Sequence, residues 1–152
     1  MKTPYTLLAS LLALAFAGCS MPSLPGFGGG ETRVANREAQ EAKLPFRWKN
    51  KRVGRETVNV RVLLPLKSGA SLASSAIKRD IMELIRNAES AQGRMNPQVE
   101  DVKLMDDGRE VWILRAAEGG IAYIVSMRPS KQGGGGTQVE LDGPYPFDKS
   151  KD

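Results

Sequence analysis

The chain has 152 residues, 41% of them hydrophobic and 26% charged, which suits one modest globular domain with extra segments and excludes a wholly disordered chain. It holds no histidine and one cysteine, which removes Ser-His-Asp and Cys-His catalysis, imidazole metal ligands, an internal disulfide and a thiolate cluster. Its formal net charge of +5 is well below that of a dedicated nucleic-acid binder.

At the N-terminus, Lys2 and the α-amino group precede a run from Leu7 to Phe16 that is apolar apart from Ser10. Ala17-Gly18 are small, and Cys19 follows. A positive start, a short apolar run and small residues at the break are the marks of an export signal. The run is too short for a permanent spanning helix, which needs about 20 residues. The plainer reading is a secretory signal with a chance cysteine, or a buried structural one; the place of the only cysteine tells against both.

Phe16-Ala17-Gly18-Cys19 resembles the lipobox of bacterial lipoprotein signals, usually Leu-Ala-Gly-Cys, with Phe16 standing where leucine is commonest. The resemblance implies cleavage before Cys19, a diacylglycerol on its sulfur and acylation of its amine, palmitate being a typical chain. Two or three such chains hold a protein firmly on a membrane, at about 0.8 kcal/mol per buried CH₂. Ser20, where aspartate favours retention in the inner membrane, implies an outer-membrane address facing the periplasm. Residues 1–18 are then the signal peptide, 19–43 a lipid-anchored tether, and 44–152 a small domain.

Ser20 to Gly30 is rich in Ser, Pro and Gly without charge and reads as a flexible linker. Glu31 to Lys43 can make a short exposed helix, but its apolar stripe of Val34, Ala35, Ala39 and Ala42 is weak. Lys43 to Arg55 is the most unusual stretch: Arg47, Lys49, Lys51, Arg52 and Arg55 are interleaved with Phe46 and Trp48, with no acidic residue. Arg47, Trp48, Lys49, Lys51, Arg52 and Arg55 are the candidate binding surface, for an envelope protein partner, an anionic lipid or peptidoglycan. The alternative is a strand or loop whose aromatics pack on the domain while Lys and Arg face water.

From Glu56 the periodicity is clear. Val58, Val60, Val62 and Leu64 alternate with Thr57, Asn59 and Arg61, the pattern of a half-buried strand that Pro65 ends. A helix follows, capped by Ser68 or Ser71, with Ala73, Ile77, Ile81, Leu84, Ile85 and Ala88 inward and Lys78, Arg79, Glu83, Arg86 and Glu89 in solvent. Gly93 is its stop. Val99 to Met105 and Arg109 to Ala116 flank Asp107-Gly108, a hairpin signal, and the continuous run Val111 to Leu114 marks a central strand with Trp112 in the core. Gly119-Gly120 turn into another apolar strand, "TQVEL" is the last, and "DGPYPFDKSKD" is an irregular tail. The order β-α-β-β-β-β predicts a two-layer α+β fold, one amphipathic helix on a four- to five-stranded, mainly antiparallel sheet.

The remaining candidates read as structure. Asp106-Asp107 belong to a turn, and Gly133 to Gly136 lack the Lys-Ser/Thr of a phosphate loop. Lys78 on a solvated face is a poor base for a serine, and Met95, Met105 and Met127 are core filler. The expectation is a non-catalytic envelope lipoprotein without cofactor, metal or nucleic-acid partner, an accessory or scaffold subunit acting by protein-protein binding. The alternative expectation is a direct binder of an anionic envelope polymer or lipid surface such as peptidoglycan.

Overall fold

The computed structural model describes residues 29–130 and 136–149. The signal segment, Cys19 and most of the glycine run at 133–136 lie outside the described residues. In chain order the elements are α1 (Gly29–Glu41), β1 (Phe46–Val53), β2 (Glu56–Leu63), β3 (Lys67–Ser68), α2 (Ser75–Ala91), β4 (Val99–Leu104), β5 (Glu110–Arg115), β6 (Gly120–Pro129) and β7 (Thr137–Phe147). The fold is α+β with antiparallel sheets: β1 and β2 form a hairpin, and the main sheet has the order β3-β4-β5-β6-β7.

The main sheet is buried on both faces. On one, Ile81 and Ile85 of α2 pack on Trp112, Leu114, Tyr123 and Val125. On the other, Val111, Ile113, Ala122 and Ile124 are closed over by Phe46, Phe147, Leu44, Leu63 and Leu66. This is why Val111 to Leu114 is apolar without alternation, since every residue of a doubly covered strand faces a core. The strand at Glu56 takes no place in the main sheet. It pairs with the basic stretch, Phe46 opposite Leu63 and Trp48 opposite Arg61. Phe46 and Leu63 are the face that meets the core, so Val58, Val60 and Val62 share the opposite face with Arg47, Lys49 and Lys51.

Helix α2 ends where its caps dictate. Ser74, not Ser68 or Ser71, is the N-cap, its hydroxyl accepting from the Ile77 N–H. At the other end the Gly93 N–H donates to the Ser90 carbonyl and the Arg94 N–H to the Glu89 carbonyl. Gly93 has φ +72°, as this Schellman motif requires. Leu84, which the spacing placed inward, is 39% exposed. Met95 is 75% exposed rather than core filler, whereas Met105 and Met127 pack against the core.

The segment expected as an irregular tail is the second half of β7, which pairs with β6 as far as Phe147 despite Pro144 and Pro146. The Pro146 carbonyl accepts from Arg61 Nη1 at 3.2 Å, on the side away from β6. A residue's N–H and C=O leave a strand on the same side, so the proline ring at 146 removes no ladder bond. Register shifts between Ala122 and Ile124, which lets β7 bend across the core.

Candidate functional site

The candidate basic surface is divided by the pleat of β1. Arg47, Lys49 and Lys51 fall on one face, Trp48 and Arg52 on the other, and Arg55 in the turn to β2. Lys51 Nζ donates to Asp148 Oδ2 at 2.5 Å, tying the hairpin to the end of β7. One face of the Trp48 ring is occupied from within the fold. The Arg61 guanidinium lies 4.8 Å from its ring centre, 5.2 Å from Tyr145 and 5.6 Å from Phe46. Burial lowers the Arg61 pKa, against the influence of Tyr145, yet a guanidinium stays charged at neutral pH. Cation–π contact with three rings stabilises that partly desolvated charge.

Helix α1 secures the outer edge of this hairpin. Asn36 Oδ1 accepts from the Trp48 N–H at 2.5 Å, and Asn36 Nδ2 donates to the Trp48 carbonyl at 3.0 Å. One amide side chain thus occupies the edge groups that a further strand would use. Thr32 Oγ1 lies 3.2 Å from Asn50 Oδ1 and 3.2 Å from Asn59 Oδ1. The N-terminal end of α1 therefore sits towards the hairpin turn, beside exposed Arg52 and Arg55.

Two buried carboxylates fix α2 to the sheet. Glu110 is fully buried and accepts from the Ser71 hydroxyl at 2.9 Å, the Leu72 N–H at 2.6 Å and the Trp112 indole N–H at 2.8 Å. Glu89, expected in solvent, is 2% exposed. It takes a two-pronged contact from Arg94, at 2.5 and 2.8 Å, and a 2.6 Å bond from the Tyr123 hydroxyl. Burial alone would push the Glu89 carboxyl up, but the bonds from Arg94 and Tyr123 and the Arg94 charge together hold it below the usual carboxylate value. All four carboxylate oxygens of this pair have partners within the fold.

Asp106 and Asp107 do not act together. Asp107 bonds Arg109 Nε at 2.9 Å, which holds its carboxyl low, while Asp106 lies 3.4 Å from Lys67 Nζ. Arg109 also donates to the Lys43 carbonyl at 2.6 Å, closing the hairpin loop against the end of α1. A shallow depression of about 420 Å³ there is lined by Lys43, Asp107, Arg109 and Arg128 among others. Arg109 and Arg128 in its wall are paired with Asp107 and Glu140. No group of three or more metal-ligating side chains occurs among the described residues, and no described helix is long and apolar enough to cross a membrane.

A second depression, of about 290 Å³, runs between α2 and β7 and is lined by Asp80, Glu83, Leu84, Asn87, Thr137 and Val139. The helical residues follow i, i+3, i+4, i+7 spacing, one stripe of α2 facing the last strand. The signal that could have marked Leu84 as exposed is its neighbourhood: Ile81, Ile85 and Glu89 already complete the inward stripe at i, i+4, i+8. The same spacing placed Glu89 inside, and only its charge argued for water.

A scan against protein-family models and searches of curated proteins and of solved structures find nothing that matches this chain.

Proposed function

We propose that this chain is a non-catalytic, lipid-anchored protein of the bacterial envelope, an accessory or scaffold subunit of an envelope or secretion assembly that acts by binding another protein. The observation that carries the reading is the only cysteine of the chain at the end of the Leu7 to Phe16 run, directly after Ala17-Gly18. Consistent with it, the buried carboxylates Glu89 and Glu110 serve to lock α2 rather than to line a cleft. Deleting residues 44–152 while keeping the signal and tether tests the reading. Envelope complexes are separated on native gels and quantified; at least one should lose a subunit or fall in amount. An envelope unchanged in composition and amount contradicts it.

The second reading, direct binding to an anionic surface, is favoured by one observation. Exposed Arg52 and Arg55 lie at the hairpin turn, beside the end of α1 that leads back to the tether. It predicts that binding of the full chain to phosphatidylglycerol vesicles weakens steeply with salt and with Arg52→Gln plus Arg55→Gln. A protein partner held by strand pairing responds little to salt.

A further inference from the structure

The outer edge of β7 is an unpaired strand beside an acidic groove. Among the described residues β7 has a ladder partner on one side only, β6, until Asp148 meets Val62. The Ser130 N–H donates to the Gly136 carbonyl at 2.8 Å, so Gly136 turns its backbone groups towards β6. Alternation along the strand then turns those of Thr137, Val139 and Leu141 away from β6, into the open edge. The side chains of Val139 and Leu141 lie on the α2 face of the sheet.

Thr137 and Val139 therefore offer both outward backbone groups and one wall of the groove whose other wall is Asp80, Glu83, Leu84 and Asn87. Neither the Asp80 nor the Glu83 carboxylate has an ion pair or hydrogen bond among the described residues. The stripe from Asp80 to Asn87 extends about 10 Å along the helix. Side chains on one face of an added strand recur about every 6.8 Å, so two of them fit that length.

We propose that this edge and groove form a docking site for an extended, basic segment of a partner protein, which adds to β7 as a further strand and directs Lys or Arg side chains towards Asp80 and Glu83. Backbone pairing supplies the affinity and the groove supplies the choice of side chain. Charge fixes the occupant: two unpaired carboxylates flanking a small apolar patch of Leu84 and Val139 select cations and reject acidic strands. A second copy of the chain is a poor occupant, because its most basic stretch is already paired with β2 and its edge blocked by Asn36. This deepens the protein-binding reading and rests on it for the nature of the occupant.

The test is photo-crosslinking of the full chain in intact cells, with benzoyl-phenylalanine in place of Leu84 and, as a control, of Leu72, which is 69% exposed beyond the N-cap of α2. Position 84 should give a protein adduct whose mapped peptide is rich in Lys or Arg. Asp80→Lys with Glu83→Lys should reduce its yield about tenfold or more, as should Thr137→Pro, which removes an outward N–H while leaving the β6 ladder intact. Asp80→Asn with Glu83→Gln, which barely alters shape, should give an intermediate loss, so that misfolding is not mistaken for lost recognition. An adduct at 84 that survives charge reversal, maps to an acidic segment or is a second copy of this chain overturns the proposal. Adducts from position 72 alone overturn the groove but leave a protein partner standing. No adduct from either position counts against the groove and the protein-binding reading together.

Discussion

Glu89 shows how a charged residue is accommodated in a core. Its carboxylate is buried against Tyr123, and Arg94 reaches it because the Schellman turn at Gly93 folds the chain back over the helix end. Its pKa is depressed in the folded state, so the stability it contributes is complete above the ordinary value of 4.5 and is lost as pH falls through the lower folded value. Glu89→Gln should cost about 1–3 kcal/mol near neutral pH and flatten the acid limb of stability, read as urea midpoints across the acid range. An equally steep acid limb in the variant would place the dependence elsewhere. Tyr145 behaves in the opposite sense. Burial and the bond to Asp142 raise its phenol to about 12, so its contribution is complete below 10 and fades as pH rises through about 12. Absorbance titration of wild type against Tyr145→Phe should show one late-titrating phenol lost.

Among the elements, α2 separates what packing requires from what spacing suggests. Ile85 is fully buried and Leu84 is 39% exposed. Ile85→Ala should therefore cost about 2–5 kcal/mol, and Leu84→Ala under about 1 kcal/mol, in denaturant unfolding. Comparable losses would restore Leu84 to the core. Glu110→Ala should cost about 2–4 kcal/mol by leaving the Trp112 indole and the Ser71-Leu72 segment without their acceptor, with early hydrogen exchange at the start of α2. The helix, the doubly buried run Val111 to Leu114 and the Asp107-Gly108 turn were legible because period and turn chemistry are local. What was not legible depended on partners distant in sequence. Nothing near Trp48 announces that Asn36 blocks its edge or that Arg61 covers its ring. Likewise "GPYPF" reads as irregular until Arg61 is seen bonding the outward carbonyl of Pro146. The valines at 58, 60 and 62 marked a strand correctly but not the face that meets the core, which Phe46 and Leu63 decide.

At the scale of the molecule, α2 covers one face of the main sheet and the open end of the β1–β2 hairpin covers the other, leaving the hairpin turn and the β7 edge on the surface. The residues from Cys19 to the start of α1 reach at most about 36 Å when extended, so acylation at Cys19 would hold the domain close to its membrane. Every functional proposal made for this chain depends on that attachment for its compartment. The most direct test is mass spectrometry of the chain purified from membranes of the cells that make it. The expected result is a mature chain whose first residue is Cys19, carrying two or three acyl chains, and a Cys19→Ser variant that is unacylated and released from the membrane. An intact signal segment, or cleavage elsewhere with an unmodified Cys19 thiol, would contradict it.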